Sequence, residues 1–409
     1  MRVCMLAYSF YSSDTRILQY ARALADRGDE VDVIGLRHKG FPNEEVMDGV
    51  RLYRLQARER DERGPLSYLF RILRFLFRSA YVLARNHFDR PYDLIHVHSV
   101  PDFLVFAALL PKLTGARVIL DIHDILPEFY ASKFDISNRS LMFRLLRLVE
   151  KVSITAADHV IIANHLWWER LVSRSVPREK CTPICNYPDP RFFHLRPRTR
   201  ANGKFVMMYP GTLNWHQGLD VAVKAFAKIA DQAPMAEFHI YGGGPTLQNL
   251  KDLAGKLNLD GRVVFLDSRP LGEIAEIMSQ ADLAVVPKRS ESFGNEAVST
   301  KTLEFMALGV PVIQSRTKVD TYYHTESRVT FFQSENVDDL AKCMLTLMRD
   351  QELRKRLVAN AQEYVKENNW DVRKHEYLEL VDSLVSRPGR KADEKLAMGA
   401  AKQQTSSQG

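Results

Sequence analysis

Two carboxylates stand eight residues apart in ESFGNEAVSTKTLEFMALGVPVI, residues 291–313: Glu296 and Glu304, with Lys301 three places before the second. An acid in the first turns of a helix can accept both hydroxyls of a ribose, because an anionic acceptor pairs strongly with two donors. The amides of the preceding turn, from Ser299 through Thr300 to Lys301, are left without intrahelical partners and suit a diphosphate. Histidines make a second pattern. His123 lies in DIHDILPEFY, residues 121–130, just after an apolar strand, and His96 and His98 alternate in HVHSVPD. Successive side chains of a strand face opposite sides. His98, at the strand end, is therefore the candidate for the acceptor site and His96 for the core. An imidazole at the carboxyl end of a strand can hydrogen-bond a sugar or steer an acceptor, which makes His123 the catalytic-site candidate of the first half.

The elements that would carry these groups alternate twice. Short apolar, branched-rich runs at 2–7, 30–36, 94–98, 118–122 and 159–163 read as strands, with a helix at 15–27 stopped by Gly28. Residues 186–204, NYPDPRFFHLRPRTRANGK, have no periodicity and mark a boundary. Strands then recur at 205–209, 237–241, 263–266, 283–287 and 310–314, with helices at 219–230, 246–257, 273–279 and 301–308. Runs of this kind separated by helices indicate βαβ units and parallel sheets. The expected fold is α/β: two Rossmann-like doubly wound parallel-sheet domains facing each other across a cleft, 1–190 and 204–370, joined by a linker at 191–203. Ligands of such sheets bind outside the carboxyl ends of the strands. A helix at 371–386 is expected to pack back across the domains, and 387–409 to be disordered.

The segment from Glu291 to Ile313 resembles the E-x7-E signature of glycosyltransferase family 4 and the E-[FY]-M-A-x-G-x-P-V-I run that follows it. Here that run reads Glu304, Phe305, Met306, Ala307, Leu308, Gly309, Val310, Pro311, Val312, Ile313. Gly211-Thr212-Leu213 with Gln217-Gly218 is similar to the family's G-R-L-x-x-x-K-G loop, and Gly242-Gly243-Gly244-Pro245 to its G-x-G-P turn. DIHDILPEFY is similar to its D-x-H-E/D-x-x-P-E segment. The resemblance implies a retaining glycosyltransferase with a GT-B fold. Glu304 would meet the donor's ribose, and Gly211 and Thr300 would lie near the donor. Glu296 would face the transferred sugar. Glu291, thirteen residues before Glu304, also begins a tetrad like the start of the motif; spacing favours Glu296. The loop departs from the family by placing Thr212 and Gln217 where relatives carry Arg and Lys. A leaving diphosphate still needs positive charge, so Lys301 is the first substitute, with Lys288, Arg289 and Arg16 as others. Neither a metal nor another cofactor is expected, since no Asp-x-Asp occurs. Front-face and double displacement both stay open. The alternatives are a non-catalytic nucleotide-sugar-binding partner subunit and a sugar-nucleotide epimerase of the same fold.

Charge is uneven along the 409 residues. The net +7 divides into 31 Lys/Arg against 23 Asp/Glu over residues 1–200 and 26 against 27 over the rest. An acidic partner for the first half follows, nucleic acid or an anionic membrane surface. The segment from Leu66 to Arg85, LSYLFRILRFLFRSAYVLAR, favours the membrane and no nucleic acid. Arg71, Arg74, Arg78 and Arg85 share one side of a helix that is otherwise apolar and aromatic. At ~2.5–3.5 kcal/mol per arginine near a bilayer centre it would not span, but it could lie in the interface. Arg144, Arg147 and Lys151 form a second basic stripe. The expected partners are a nucleotide-diphosphate-sugar and a glycan or lipid-linked acceptor. The expected location is cytoplasmic, peripheral on the inner face of the plasma membrane. Four cysteines suggest neither a disulfide framework nor a zinc site.

Overall fold

The computed structural model describes residues 1–57, 65–134, 137 and 139–386. The first domain holds β1 (Arg2–Ala7), β2 (Glu30–Arg37), β3 (Glu44–Met47), β4 (Val50–Ala57), β5 (Leu94–His98), β6 (Arg117–Ile122), β7 (His159–Ile162) and β8 (Cys181–Pro183). Their order in the sheet is β3-β4-β2-β1-β5-β6-β7-β8, parallel throughout except for β3 on β4. The second domain holds β9 (Phe205–Pro210), β10 (Ala236–Tyr241), β11 (Val263–Leu266), β12 (Leu283–Val286), β13 (Val312–Ser315) and β14 (Thr330–Phe332), all parallel, in the order β11-β10-β9-β12-β13-β14. The expected pair of doubly wound sheets is present.

Central strands such as β1 and β5 are buried along their whole length, because helices cover both faces. Strand order reverses between β1 and β5 and again between β9 and β12. The crevices at those two switch points face one another. The edge strands β3, β8 and β14, and β4 beside β3, were not expected. β3 and β4 join through Asp48 and Gly49, both at positive φ (51° and 78°), as a two-residue hairpin requires.

No helix or strand occurs from Ile184 to Lys204. Near the end, the helices Val337–Arg349 and Gln351–Glu367 follow one another directly, since the Asp350 side chain caps Leu353 N–H and starts a new helix. The helix Trp370–Val385 returns to the first domain, where Trp370, Tyr377 and Val381 are buried against Tyr20, Ala21 and Leu24 of the helix Thr15–Asp26. The tail from 387, with its expected disorder, lies outside the described residues.

A second tie between the domains starts in the segment between β12 and the helix Thr300–Ala307. Phe293 leaves its own domain and packs against Trp167 (centroids 5.5 Å apart) and Phe129 (5.2 Å) of the first.

Candidate active site

A cavity of about 380 Å³ lies between the domains, with Ser13, Asp14, Arg16 and His123 on one wall and Thr300 and Glu304 on the other; Asn186, Tyr187 and Pro188 also line it. On the second-domain wall the helix Thr300–Ala307 begins without a side-chain cap, so its first amides are not consumed by one. It ends at Gly309 with φ 71°, the left-handed residue that closes a helix at little steric cost. Thr302 Oγ1 donates to Gln314 Oε1 at 2.8 Å in the interior, fixing the helix to β13. Glu304 is half-buried. Burial pushes its carboxyl up, while Lys301 and a hydrogen bond from Thr300 pull the other way. Such a carboxylate is short of donors and gains from each one a ligand supplies.

Lys301 folds over the glycine loop at the end of β9. A Cβ on Gly211, whose φ is 132°, would stand 2.5 Å from Lys301 Cε and 2.9 Å from Nζ. The Nζ also lies 5.3 Å from the centre of the Tyr209 ring. Burial pulls the Lys301 pKa down; Glu304 pushes back, and Lys288 adds to the fall. Thr212 is exposed in this loop and Gln217 half-buried in the turn Trp215–Gln217. The neighbouring glycines permit backbone contact: a Cβ on Gly242 would lie 2.0 Å from the Gly211 carbonyl oxygen.

Several of the expected groups already have partners within the protein. Lys288 is buried, donating to Ala297 O at 2.6 Å and pairing with Asp320 at 3.0 Å. Arg289 pairs with Asp220 at 2.7 Å and Glu335 at 2.5 Å. A diphosphate would have to displace carboxylates from either. Glu296 does not line the cavity; it joins the domains through Arg170 at 2.7 Å and pairs within its own domain with Lys318 at 3.2 Å. Glu291 is exposed at the start of the same segment. Arg16 reaches the cavity wall, but its guanidinium is held by Asp121, with Nε 2.7 Å from Oδ2 and NH2 2.8 Å from Oδ1. His98 is buried, so it can act only through its neighbours; its Nδ1 is 3.2 Å from His123 Nε2. His96 is core, hydrogen-bonded to the Tyr377 hydroxyl at 2.9 Å.

Three contributors were not singled out from the sequence. Asp121 opens the DIHD tetrad, and its place two residues before His123, on the same side of the strand end, was the available signal. Asp14 caps the helix Thr15–Asp26 through Ile17 N–H while lining the cavity, and Asn186 belongs to the segment taken as a boundary. Among the described residues, His96, His98 and Asp121 are near enough together to share a metal ion. They do not fit one, because the bidentate Arg16 already neutralises the carboxylate.

Paired doubly wound domains thus bring a helix N-terminus and a carboxylate to face a histidine across the cleft, at the place where such sheets bind their ligands. Residues 13–187 match the model of the glycosyl transferase 4-like domain and residues 191–364 that of glycosyl transferases group 1. The chain belongs to the group 1 glycosyltransferases of family 4, with the GT-B fold, and is a glycosyltransferase. It is 25% identical over 343 residues to the gpi3 subunit of phosphatidylinositol N-acetylglucosaminyltransferase of Schizosaccharomyces pombe, covering 82% of this chain and 70% of that one. It is 24% identical over 371 residues to sulfoquinovosyl transferase of Arabidopsis thaliana, covering 87% and 67%. In fold it is similar to sucrose-phosphate synthase from Thermosynechococcus elongatus (TM-score 0.74, 19% identity, 94% of this chain and 99% of that one). Anabaena HepE in complex with UDP-glucose is also similar (TM-score 0.71, 17% identity, 94% and 100%).

Proposed function

We propose that this glycosyltransferase moves a sugar from a nucleotide-diphosphate-sugar, with retention of configuration, to a glycan or lipid-linked acceptor in cell-surface polysaccharide or glycolipid synthesis. The observation that carries the reading is the pairing, across one cavity, of the Thr300–Glu304 helix start with His123. Glu304 accepts the ribose hydroxyls, the helix amides and Lys301 meet the diphosphate, and His123 faces the sugar. Support for the donor class comes from Anabaena HepE, similar in fold and solved with UDP and with UDP-glucose.

The acceptor side faces the cytoplasmic leaflet of a membrane. Support comes from one face of the first domain, where the helices Pro65–Asp89, Leu109–Leu113 and Leu141–Ala156 expose Phe70, Phe77, Tyr81, Leu113, Leu141 and Leu148. Arg74, Arg85, Arg144 and Arg147 are exposed on the same helices. Apolar side chains ringed by arginine match the interface of an anionic bilayer. Among the described residues no helix is long and apolar enough to cross one.

Labelled UDP-, GDP- and other nucleotide sugars, incubated with the purified chain and a lipid extract, test the reading. One donor should yield a product of unchanged anomeric configuration. A product of inverted configuration would refute retention, and absence of transfer from every donor would refute the donor class. By calorimetry, Glu304→Gln should weaken binding of the matching nucleotide by ~1.5–3 kcal/mol. Unchanged affinity would remove Glu304 from the ribose.

A further inference from the structure

Asp121 lies two residues before His123, near the end of β6, and is fully buried. Arg16 grips both of its oxygens, and the Arg16 NH1 is fixed in turn by the Ile184 carbonyl at 2.9 Å and Asn186 Oδ1 at 2.7 Å. The same carboxylate presents Oδ2 to His123 Nε2 at 3.3 Å and to His98 Nδ1 at 3.2 Å. One nitrogen of the His123 ring thus faces an immobilised anion. The other, Nδ1, has no hydrogen-bond partner among the described residues, and the ring lines the cavity.

We propose that Asp121, held by Arg16, is a positioning residue that keeps His123 an imidazolium, its inner N–H on the carboxylate and its outer N–H offered to an oxygen of the bound donor. The donor contact rests on the function proposed above; the charge state does not. Around the ring stand Asp121 on β6, His96 and His98 on β5, Asp14 and Arg16 at the start of the helix Thr15–Asp26, Asp124 in the following turn and Glu304 across the cavity. Burial pulls the His123 pKa down, but Asp121 and Asp14 outweigh it and hold it above its ordinary value against the opposing charge of Arg16. Burial holds His96 and His98 below theirs, so of the three imidazoles the one on the cavity takes the proton. A fixed cation there adds to the charge that Thr212 and Gln217 do not supply.

Histidine resonances of the ¹⁵N-labelled full chain read the charge state without any substrate. His123, assigned by its loss in His123→Gln, should titrate above ~6.5, and in Asp121→Asn its midpoint should fall by roughly one pH unit or more. A wild-type midpoint at or below 6.5 overturns the proposal, even if Asp121→Asn does not fold. In the wild type, kcat/KM for the donor should fall as pH rises through that midpoint, and His123→Gln should be slower with this limb absent. The same limb surviving in His123→Gln overturns the donor contact. Absence of transfer from any donor, with His123 still titrating high, would remove the donor contact together with the proposed function and leave the Asp121–His123 pairing intact.

Discussion

Charges in this protein are mostly spoken for, and that decides which residues can meet a ligand. Lys288, Arg289 and Arg16 each hold carboxylates, whereas Lys301 has no salt-bridge partner among the described residues and lies against the glycine loop. Lys301→Ala should therefore lower kcat by ~10²-fold, the usual cost of removing a group that stabilises developing negative charge. Gln217→Ala should change it little. Steady-state rates with saturating donor check this, and equal small effects would return the diphosphate to another cation. A different titration governs stability. Asp102 is fully buried, and its carboxyl is pushed up to about 7, chiefly by burial and further by Glu150. Its folded pKa exceeds the unfolded value of ~3.9, so between those values the native state binds more protons and stability falls as pH rises. Asp102→Asn should abolish that slope and exceed the wild type at pH 8 by about 4 kcal/mol in urea unfolding, at about 1.36 kcal/mol for each of the roughly three pH units between the two pKa values. An identical pH dependence in both proteins would show that Asp102 ionises freely.

At the scale of elements, the helices Pro65–Asp89 and Leu141–Ala156 each bury one side and leave aromatic and aliphatic residues in solvent. Ile72, Phe75 and Leu83 belong to the core of the first domain, while Phe77 and Tyr81 are about 70% exposed. Arg71 is half-buried and Arg78 donates to Leu55 O at 3.1 Å, so the cations freest to meet lipid are Arg74, Arg85, Arg144 and Arg147. Vesicle binding should require anionic lipid and weaken with salt, since exposed charges are screened beyond ~8 Å at physiological ionic strength. Replacing those four arginines with glutamine should cost ~1 kcal/mol each in vesicle affinity. Transfer to a soluble acceptor fragment should survive. Wild-type protein that ignores anionic vesicles at low salt would make these helices ordinary surface.

Across the whole molecule, the cleft is braced from both domains. Phe293 sits between Trp167 and Phe129, Glu296 bridges to Arg170, and the Tyr323 hydroxyl meets the His165 Nδ1 at 2.8 Å. The carboxylate expected beside the sugar thus takes part in an ion pair between the domains. Phe293→Ala should remove ~3 kcal/mol of packing at this contact. Small-angle scattering of the unliganded variant should show a larger radius of gyration than the wild type, with a raised KM for the donor. An unchanged radius would mean that the returning helix Trp370–Val385 and the Tyr323 contact hold the domains without Phe293.

Local information was enough for much of this. Hydrophobic runs broken by helices revealed both sheets, because burial on two faces leaves its mark on consecutive residues. The helix carrying Lys301 and Glu304, expected at 301–308, was legible for the same reason: periodicity acts within a few residues. The Asp48-Gly49 turn was just as local, yet β3 and β4, which it joins at the sheet's margin, are half-solvated and leave no continuous apolar run. Partner choice between charges was not legible. Arg16 meets Asp121 across 105 residues and Glu296 meets Arg170 across 126. Coulomb energy depends on distance in space and on the water excluded between the groups, not on spacing along the chain. The sequence by itself therefore determined the two sheets, the helix of Lys301 and Glu304 and the residue types at the cleft. Only the tertiary structure decided which cation had no ion-pair partner among the described residues, which carboxylate bridged the domains, and which of the histidines beside the buried Asp121 faced the cavity.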